Sequence, residues 1–299
     1  MSVITQKVME ANIGRQERPK SAWCRLRHLA RSSPVGMIGG VILFGLILMS
    51  IFAPLIAPYD PLMTNYGALK HPPSGANFLG TDLLGRDNLS RIIWGGRVSL
   101  FVGFTAVLLG DTVGLLLGLV SGYQGGRTDL VGQRVLDVLM SFPGLILAMM
   151  LLISMGAGLH TVIIAIAVTR IPGTARVIRS TVLQVKQFEF VEAARATGAT
   201  TGRILWRHIG PQCIAPWLVI ATAGLGSAIV IEAALSFMGV GVPPPTPTWG
   251  NMLGGIMAET FQPPWWLILF PGVALTITVL VANLFGDAVR DWLDPKLRD

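Results

Sequence analysis

Few of the 299 residues can do chemistry, and their placement favours charge pairing over bond making. Glu192, Ala193 and Ala194 form a polar island between two apolar runs, with Gly198 and Pro211 behind them. Two small alanines let a neighbouring backbone approach closely, one glutamate offers a directional charge to an Arg or Lys, and a glycine permits a turn. Alternatively, Glu192 pairs with Arg195 three residues on, a contact worth about 0.2–0.5 kcal/mol on a solvated helix. Two further acids, Asp111 and Glu232, lie inside apolar runs. An aspartate at a membrane helix centre costs about 2.5–3.5 kcal/mol, so both must point into a bundle. Asp111 then reads as a structural acid closing a helix contact or as a proton carrier. Glu232, in the outer half of its run, either satisfies its neighbours or lines a pathway. A fourth group, Asp82, Arg86, Asp87 and Arg91, has the spacing of a salt-bridge lattice on a short surface helix, or of a gate or contact for a partner.

Catalytic chemistry is not indicated. None of the five lysines (Lys7, Lys20, Lys70, Lys186 and Lys296) has the glycine before it and the Ser or Thr after it that a phosphate-cradling loop requires. The four histidines form no HExxH, and no GxSxG occurs, so no metal cage or nucleophile is in view. Cys24 falls in the first polar segment and Cys213 near an apolar run, which argues against a structural disulfide.

The residues around these groups set the class. Hydrophobic residues make up 52% and charged residues 13%, with mean hydropathy +0.62, so the solvent for most of the chain is lipid. A net charge of +7 invites a nucleic-acid reading, but the Lys and Arg sit between apolar runs instead of forming a stripe on a water-facing domain. Val35 to Ala57 is an uncharged run long enough for a hydrocarbon core of roughly 30 Å. Further helices are predicted over Val98–Gly122, about Val131–Met155, about Thr161–Val177, Ile214–Gly241 and Trp265–Gly286, an all-α polytopic protein with six spans. Arg134, Asp137, Arg170 and Arg176 would reach from helix ends to the headgroups. With the N-terminus in the cytoplasm, 19 of the 23 Lys and Arg lie inside, as the positive-inside rule asks. The resulting division is a cytoplasmic tail over 1–34, a first span over 35–57, an extracytoplasmic segment over 58–97, a five-span core over 98–289 and a cytoplasmic tail over 290–299. Trp94, Trp217, Trp249, Trp265 and Trp266 are expected at the interfaces.

Within the core, Gly110, Gly114, Gly118 and Gly122 recur every four residues, a ridge for close helix crossing inside the subunit or at a dimer seam. The inner loop, about 179–211, has helical apolar spacing at Phe190, Val191 and Ala194 and again at Ile204, Leu205 and His208, which predicts one face turned down. Gly198 and Gly202 divide it into two short helices, an elbow along the inner membrane surface.

This elbow resembles that of the inner-membrane permease subunits of ABC importers, whose shared mark is EAAxxxG followed after nine residues by IxLP. Glu192, Ala193, Ala194, Gly198 and Pro211 fall in register, whereas His208 and Gly210 depart from it. The chain is further similar to C-type permeases of the dipeptide, oligopeptide and nickel group. The matching pieces are Gly80-Thr81-Asp82 with Gly85-Arg86-Asp87, Glu232-Ala233-Ala234-Leu235-Ser236-Phe237, Pro243 to Gly250, Asn283 to Asp287 and Asp294 to Arg298. The resemblance implies a type I importer permease fold in a prokaryotic inner membrane and a second homologous permease. It also implies two cytoplasmic ATPases holding ATP and Mg, an extracytoplasmic solute-binding protein, and no cofactor or nucleic acid on this chain. It assigns Glu192 and its neighbours to ATPase coupling. A rival reading is an ion-coupled secondary transporter using Asp111 or Glu232, although no internal repeat of the kind such carriers often show is visible. No residue separates dipeptides from longer peptides, heme or nickel complexes as cargo.

Overall fold

Lipid offers the backbone no hydrogen-bond partner, so an apolar run of this length must satisfy its amides within itself. The computed structural model describes residues 34–259 and 261–293 and, among them, consists of helices without strands. The tails outside these limits, with Cys24 and Asp294 to Arg298, lie outside the described residues.

Helix α1 (Pro34–Ile51) is uncharged and buries only Gly36, Gly39, Leu43 and Ser50. The expected first span to Ala57 is shorter because Pro54, which lacks an amide proton, starts a separate short helix α2 (Ala53–Ile56). Helix α3 (Asn88–Gln124) is 37 residues long. At 1.5 Å per residue that is about 55 Å, far more than a bilayer core, so part of it must stand beyond the hydrocarbon. It begins well before the expected Val98 because Asp87 caps it, accepting from the Ser90 amide at 2.8 Å.

The third span is not a single helix from Val131 to Met155. It is α4 (Gly126–Met140) followed by α5 (Gly144–Met155), bent by 90°. Pro143 at the break biases Phe142 away from helical geometry and removes a donor, which ends α4. Helix α6 (Leu159–Val185) outlasts its expected end at Val177 and carries Pro172 inside. After α7 (Glu189–Ala196), α8 (Thr201–Phe237) runs without interruption from the elbow to the far end of the fifth span. The second elbow helix is therefore the first turns of the span itself. Helix α9 (Trp249–Glu259) lies between the fifth and sixth spans, and α10 (Trp265–Leu293) closes the bundle. Among the described residues five helices are long and apolar enough to cross a membrane, and the bent α4–α5 pair is the sixth if it counts as one span.

Two apolar cores hold the helices. The larger joins α1, α3, α5, α6, α8, α9 and α10 around residues such as Val102, Ala106, Ile166 and Ile229. A smaller one at the elbow gathers Leu119, Ile178, Val182, Val191, Ile204, Ile209 and Cys213. Trp249 is buried in the larger core, its indole donating to the Ile92 carbonyl at 3.0 Å, and is not an interfacial residue.

Candidate functional site

Helix α7 has Glu189 and Glu192 in its first turn and Arg195 in its last, each with the sign the helix dipole favours at that end. Val191 is its anchor, fully buried in the elbow core. Phe190, expected to lie face down with it, is 41% exposed instead. Glu192 and Ala193 are exposed at the tip and Ala194 is half-buried. Arg195 does not answer Glu192: its guanidinium lies over the Tyr123 ring, 5.4 Å from the centroid. Among the described residues Glu192 makes no ion pair.

The turn after α7 has a clear physical cause. Gly198 has φ +80°, and its amide donates to the Arg195 carbonyl at 2.9 Å while the Ala199 amide donates to Ala194 at 3.0 Å. Those two bonds define a Schellman stop, whose left-handed residue is glycine because other side chains are strained there. The Thr200 hydroxyl then accepts from the Arg203 amide to start α8.

Residues Ile204–Ile209 form a π-helical turn, and the Gly210 amide donates to the Leu205 carbonyl five residues back. Pro211 next to it has no amide to give and crowds the preceding turn. A Cβ at position 210 would stand 2.9 Å from the Leu205 carbonyl oxygen. The departure from leucine at Gly210 thus sits where the widened turn leaves least room. His208 faces Phe190, with ring centroids 6.5 Å apart.

Between α7 and the start of α8 opens a cleft of about 680 Å³, lined by Phe190, Ala193, Thr197, Arg203, Arg207 and His208 among others. Arg203 and Arg207 form no ion pair among the described residues. Sequence reading missed them. Their spacing of four on one helix face was the available signal.

The other singled-out residues lie elsewhere. Asp111 is fully buried on α3, where its carboxylate accepts from Arg170 Nη2 at 2.7 Å and from the Thr174 hydroxyl at 2.7 Å. Arg170 was expected to reach the headgroups, but it turns inward because a buried aspartate needs a cation more than the cation needs the interface. Arg176 and Arg179 likewise pair with Asp137 and Asp129. Glu232 is buried beside Ser99 of α3 and Thr248 before α9. Its Oε1 accepts from the Ser236 hydroxyl at 2.8 Å, and its Oε2 has no hydrogen-bond partner. Gly110, Gly114, Gly118 and Gly122 all meet α6. A Cβ on Gly114 would stand 2.8 Å from Thr174 Cβ, and one on Gly122 2.9 Å from Val182 Cβ.

The outer charges do not share one surface helix. Asp82 and Arg86 are in a loop, Asp87 caps α3 and Arg91 lies in its first turns. Asp82 accepts from Arg86 Nε at 2.6 Å and lies 3.5 Å from Arg91, while Arg91 donates to the Pro61 carbonyl at 3.2 Å. Asp87 also receives the Ser90 hydroxyl at 2.7 Å and the Asn77 amide at 2.9 Å.

This arrangement of apolar spans, one exposed elbow and the long helix continuing from it is the type I ABC importer permease fold. The chain belongs to the family described as binding-protein-dependent transport system inner membrane component, which matches residues 114–299, and residues 20–73 match the N-terminal membrane domain of oligopeptide transport permease C. The oligopeptide transport system permease protein OppC of Bacillus subtilis (strain 168) is 41% identical over 269 residues, covering 90% of this chain and 88% of the relative. The dipeptide transport system permease protein DppC of Alkalihalophilus pseudofirmus is 38% identical over 278 residues, covering 93% and 91%. The glutathione transport system permease protein GsiD of Pectobacterium atrosepticum is 40% identical over 265 residues, covering 88% of each. The inward-facing MetNI methionine ABC transporter matches at TM-score 0.56 and 19% identity over 68% of this chain and 96% of that one, a likeness of fold. The protein is thus a multi-pass membrane permease subunit of an ABC transporter, a family whose membrane subunits have no ATPase site of their own and work in complexes with other subunits.

Proposed function

We propose that this chain carries peptides through the bilayer and is driven by separate ATPase subunits that grip its elbow. One observation carries the reading: Glu192 and Ala193 are exposed and unpartnered at the tip of a helix whose other face is locked into the core by Val191. A tip built this way has no local work to do. The relatives named as oligopeptide and dipeptide permeases support peptides as cargo. The complex so assembled has a second homologous permease, two cytosolic ATPases holding ATP and Mg, and an extracytoplasmic solute-binding protein, in an inner membrane with both termini cytoplasmic.

The mechanism follows from the connectivity. ATP stabilises one arrangement of the ATPases over another, and only a difference in contact energy between the two can drive the permease. The cleft around Arg203, Arg207 and His208 supplies that contact, with Glu192 offered to a cation of the ATPase. Because the second part of the elbow is itself the start of α8, its displacement reaches the outer end of that span. An ion-coupled carrier built on Asp111 is disfavoured, because that carboxylate already holds Arg170 and Thr174. Glu192 and Arg203 reversed in sign should leave the complex expressed yet unable to import peptide in proteoliposomes supplied with ATP. Peptide uptake that ignores both substitutions, or that collapses with a proton uncoupler while ATP is present, overturns the proposal.

A further inference from the structure

Helix α8 is packed unevenly along its length. From Gly210 to Gly224 only Cys213 is buried, whereas Leu225, Gly226, Ala228, Ile229, Glu232, Ala233, Leu235 and Ser236 follow in quick succession. The outer half is seated by backbone approach. A Cβ on Gly103 of α3 would come 2.8 Å from Ile229, and Gly250 of α9 lies close against Ala233 of α8. Arg170 meets α8 at the boundary between the two halves. Its Nη1 donates to the Gly224 carbonyl at 3.1 Å and approaches the Ser227 hydroxyl at 3.4 Å, and its Nη2 reaches the Ile220 carbonyl at 3.4 Å as well as Asp111. Gly224 leaves room for this, since a Cβ there would fall on the guanidinium.

These bonds differ in what they join. Asp111, which also accepts from Thr174 of α6, ties Arg170 to α3, and α3 and α6 are already interlocked through the glycine ridge. The bonds to Ile220, Gly224 and Ser227 instead tie that two-helix unit to the helix that continues from the elbow. We propose that Arg170 is a releasable clasp: its guanidinium stays on Asp111 while its bonds to α8 break when the inner half of α8 swings about its packed outer half. The role is one of positioning, since Arg170 touches neither nucleotide nor the ATPase, and it rests on the elbow reading above. A permanently charged fork suits the task, because it keeps its ion pair with Asp111 when its carbonyl partners leave.

The test uses the whole reconstituted complex with Arg170→Lys, which keeps a cation for Asp111 but lacks the fork, and with Gly224→Ala, which crowds the clasp from the other side. Three quantities are measured: ATP hydrolysis without binding protein or peptide, peptide imported per ATP, and the spin-label distance between Val177→Cys on α6 and Ile214→Cys on the inner half of α8, both exposed positions, with Cys24 and Cys213 replaced. Both clasp variants should raise basal hydrolysis several-fold, lower import per ATP, and show the ATP-bound distance already populated without nucleotide. Variants that assemble and match the unaltered complex in all three readouts overturn the clasp, as does a label distance that ATP leaves unchanged in the unaltered complex. An unaltered complex that shows no ATP-driven import overturns the elbow reading instead, so the two failures are told apart. Should Arg170→Lys fail to assemble, Ser227→Ala carries the same expectations in weaker form, and its silence counts against the clasp.

Discussion

The loop before α3 and the elbow hold similar numbers of charges and use them in opposite ways. In the loop, Asp82, Arg86, Asp87 and Arg91 spend their hydrogen bonds on one another, on Ser90 and Asn77, and on the Pro61 carbonyl. In the elbow, Glu192, Arg203 and Arg207 make no ion pair among the described residues; Glu192 is exposed at the tip and the two arginines line a cleft. The difference separates charge that builds the subunit from charge left for something else to meet. Asp111 and Arg170 belong with the first kind on the aspartate side and reach toward the moving helix on the other.

If the contrast holds, substitutions in the loop should damage folding and substitutions in the elbow should damage function alone. The largest effect is expected for Asp82→Ala, which leaves the buried Arg91 without its anion; breaking such a pair costs about 3–5 kcal/mol, read as a lowered thermal midpoint of the purified subunit in detergent. Asp87→Ala removes the cap of α3 and should cost about 1–2 kcal/mol by the same measurement. Gly198→Ala blurs the line, because strain at φ +80° is worth about 1 kcal/mol while the turn also aims the elbow tip. It should lower both the midpoint and the import rate. Arg207→Ala is expected to move the midpoint by less than about 0.5 kcal/mol and yet weaken retention of the ATPase on the purified complex, more so at high salt. A fall in stability as large as that of Asp82→Ala would erase the distinction.

The parts of this architecture visible in the sequence were those set by the solvent. Lipid demands long apolar helices, so the runs, the glycine ridge and the polar island stood out without coordinates. What stayed hidden depended on partners distant in the chain or on single caps. Arg170 lies 59 residues from Asp111, and nothing local says that it turns inward. Trp249 is drawn into the core by a carbonyl 157 residues away, where composition alone suggested an interfacial ring. The early start of α3 was written in Asp87 and Ser90, a capping pair that an apolar-run reading passes over. Pro143 similarly marked the 90° bend within an uncharged stretch. At the elbow, the apolar spacing placed Val191 and Ile204 correctly in the core but sent Phe190 the wrong way. The π turn before Gly210 and Pro211 also joined the second elbow piece to the fifth span, which the apolar-run reading had begun only at Ile214.

The central claim is that the exposed tip of α7 is where force from an ATPase enters this subunit. It is tested most directly by site-specific cross-linking from a photoreactive residue placed at Ala193, in the assembled transporter, with and without ATP. The account predicts a covalent product with an ATPase subunit whose yield changes when ATP binds. A tip that labels only from the opposite side of the membrane, or that never joins an ATPase in a complex that imports peptide, would contradict it.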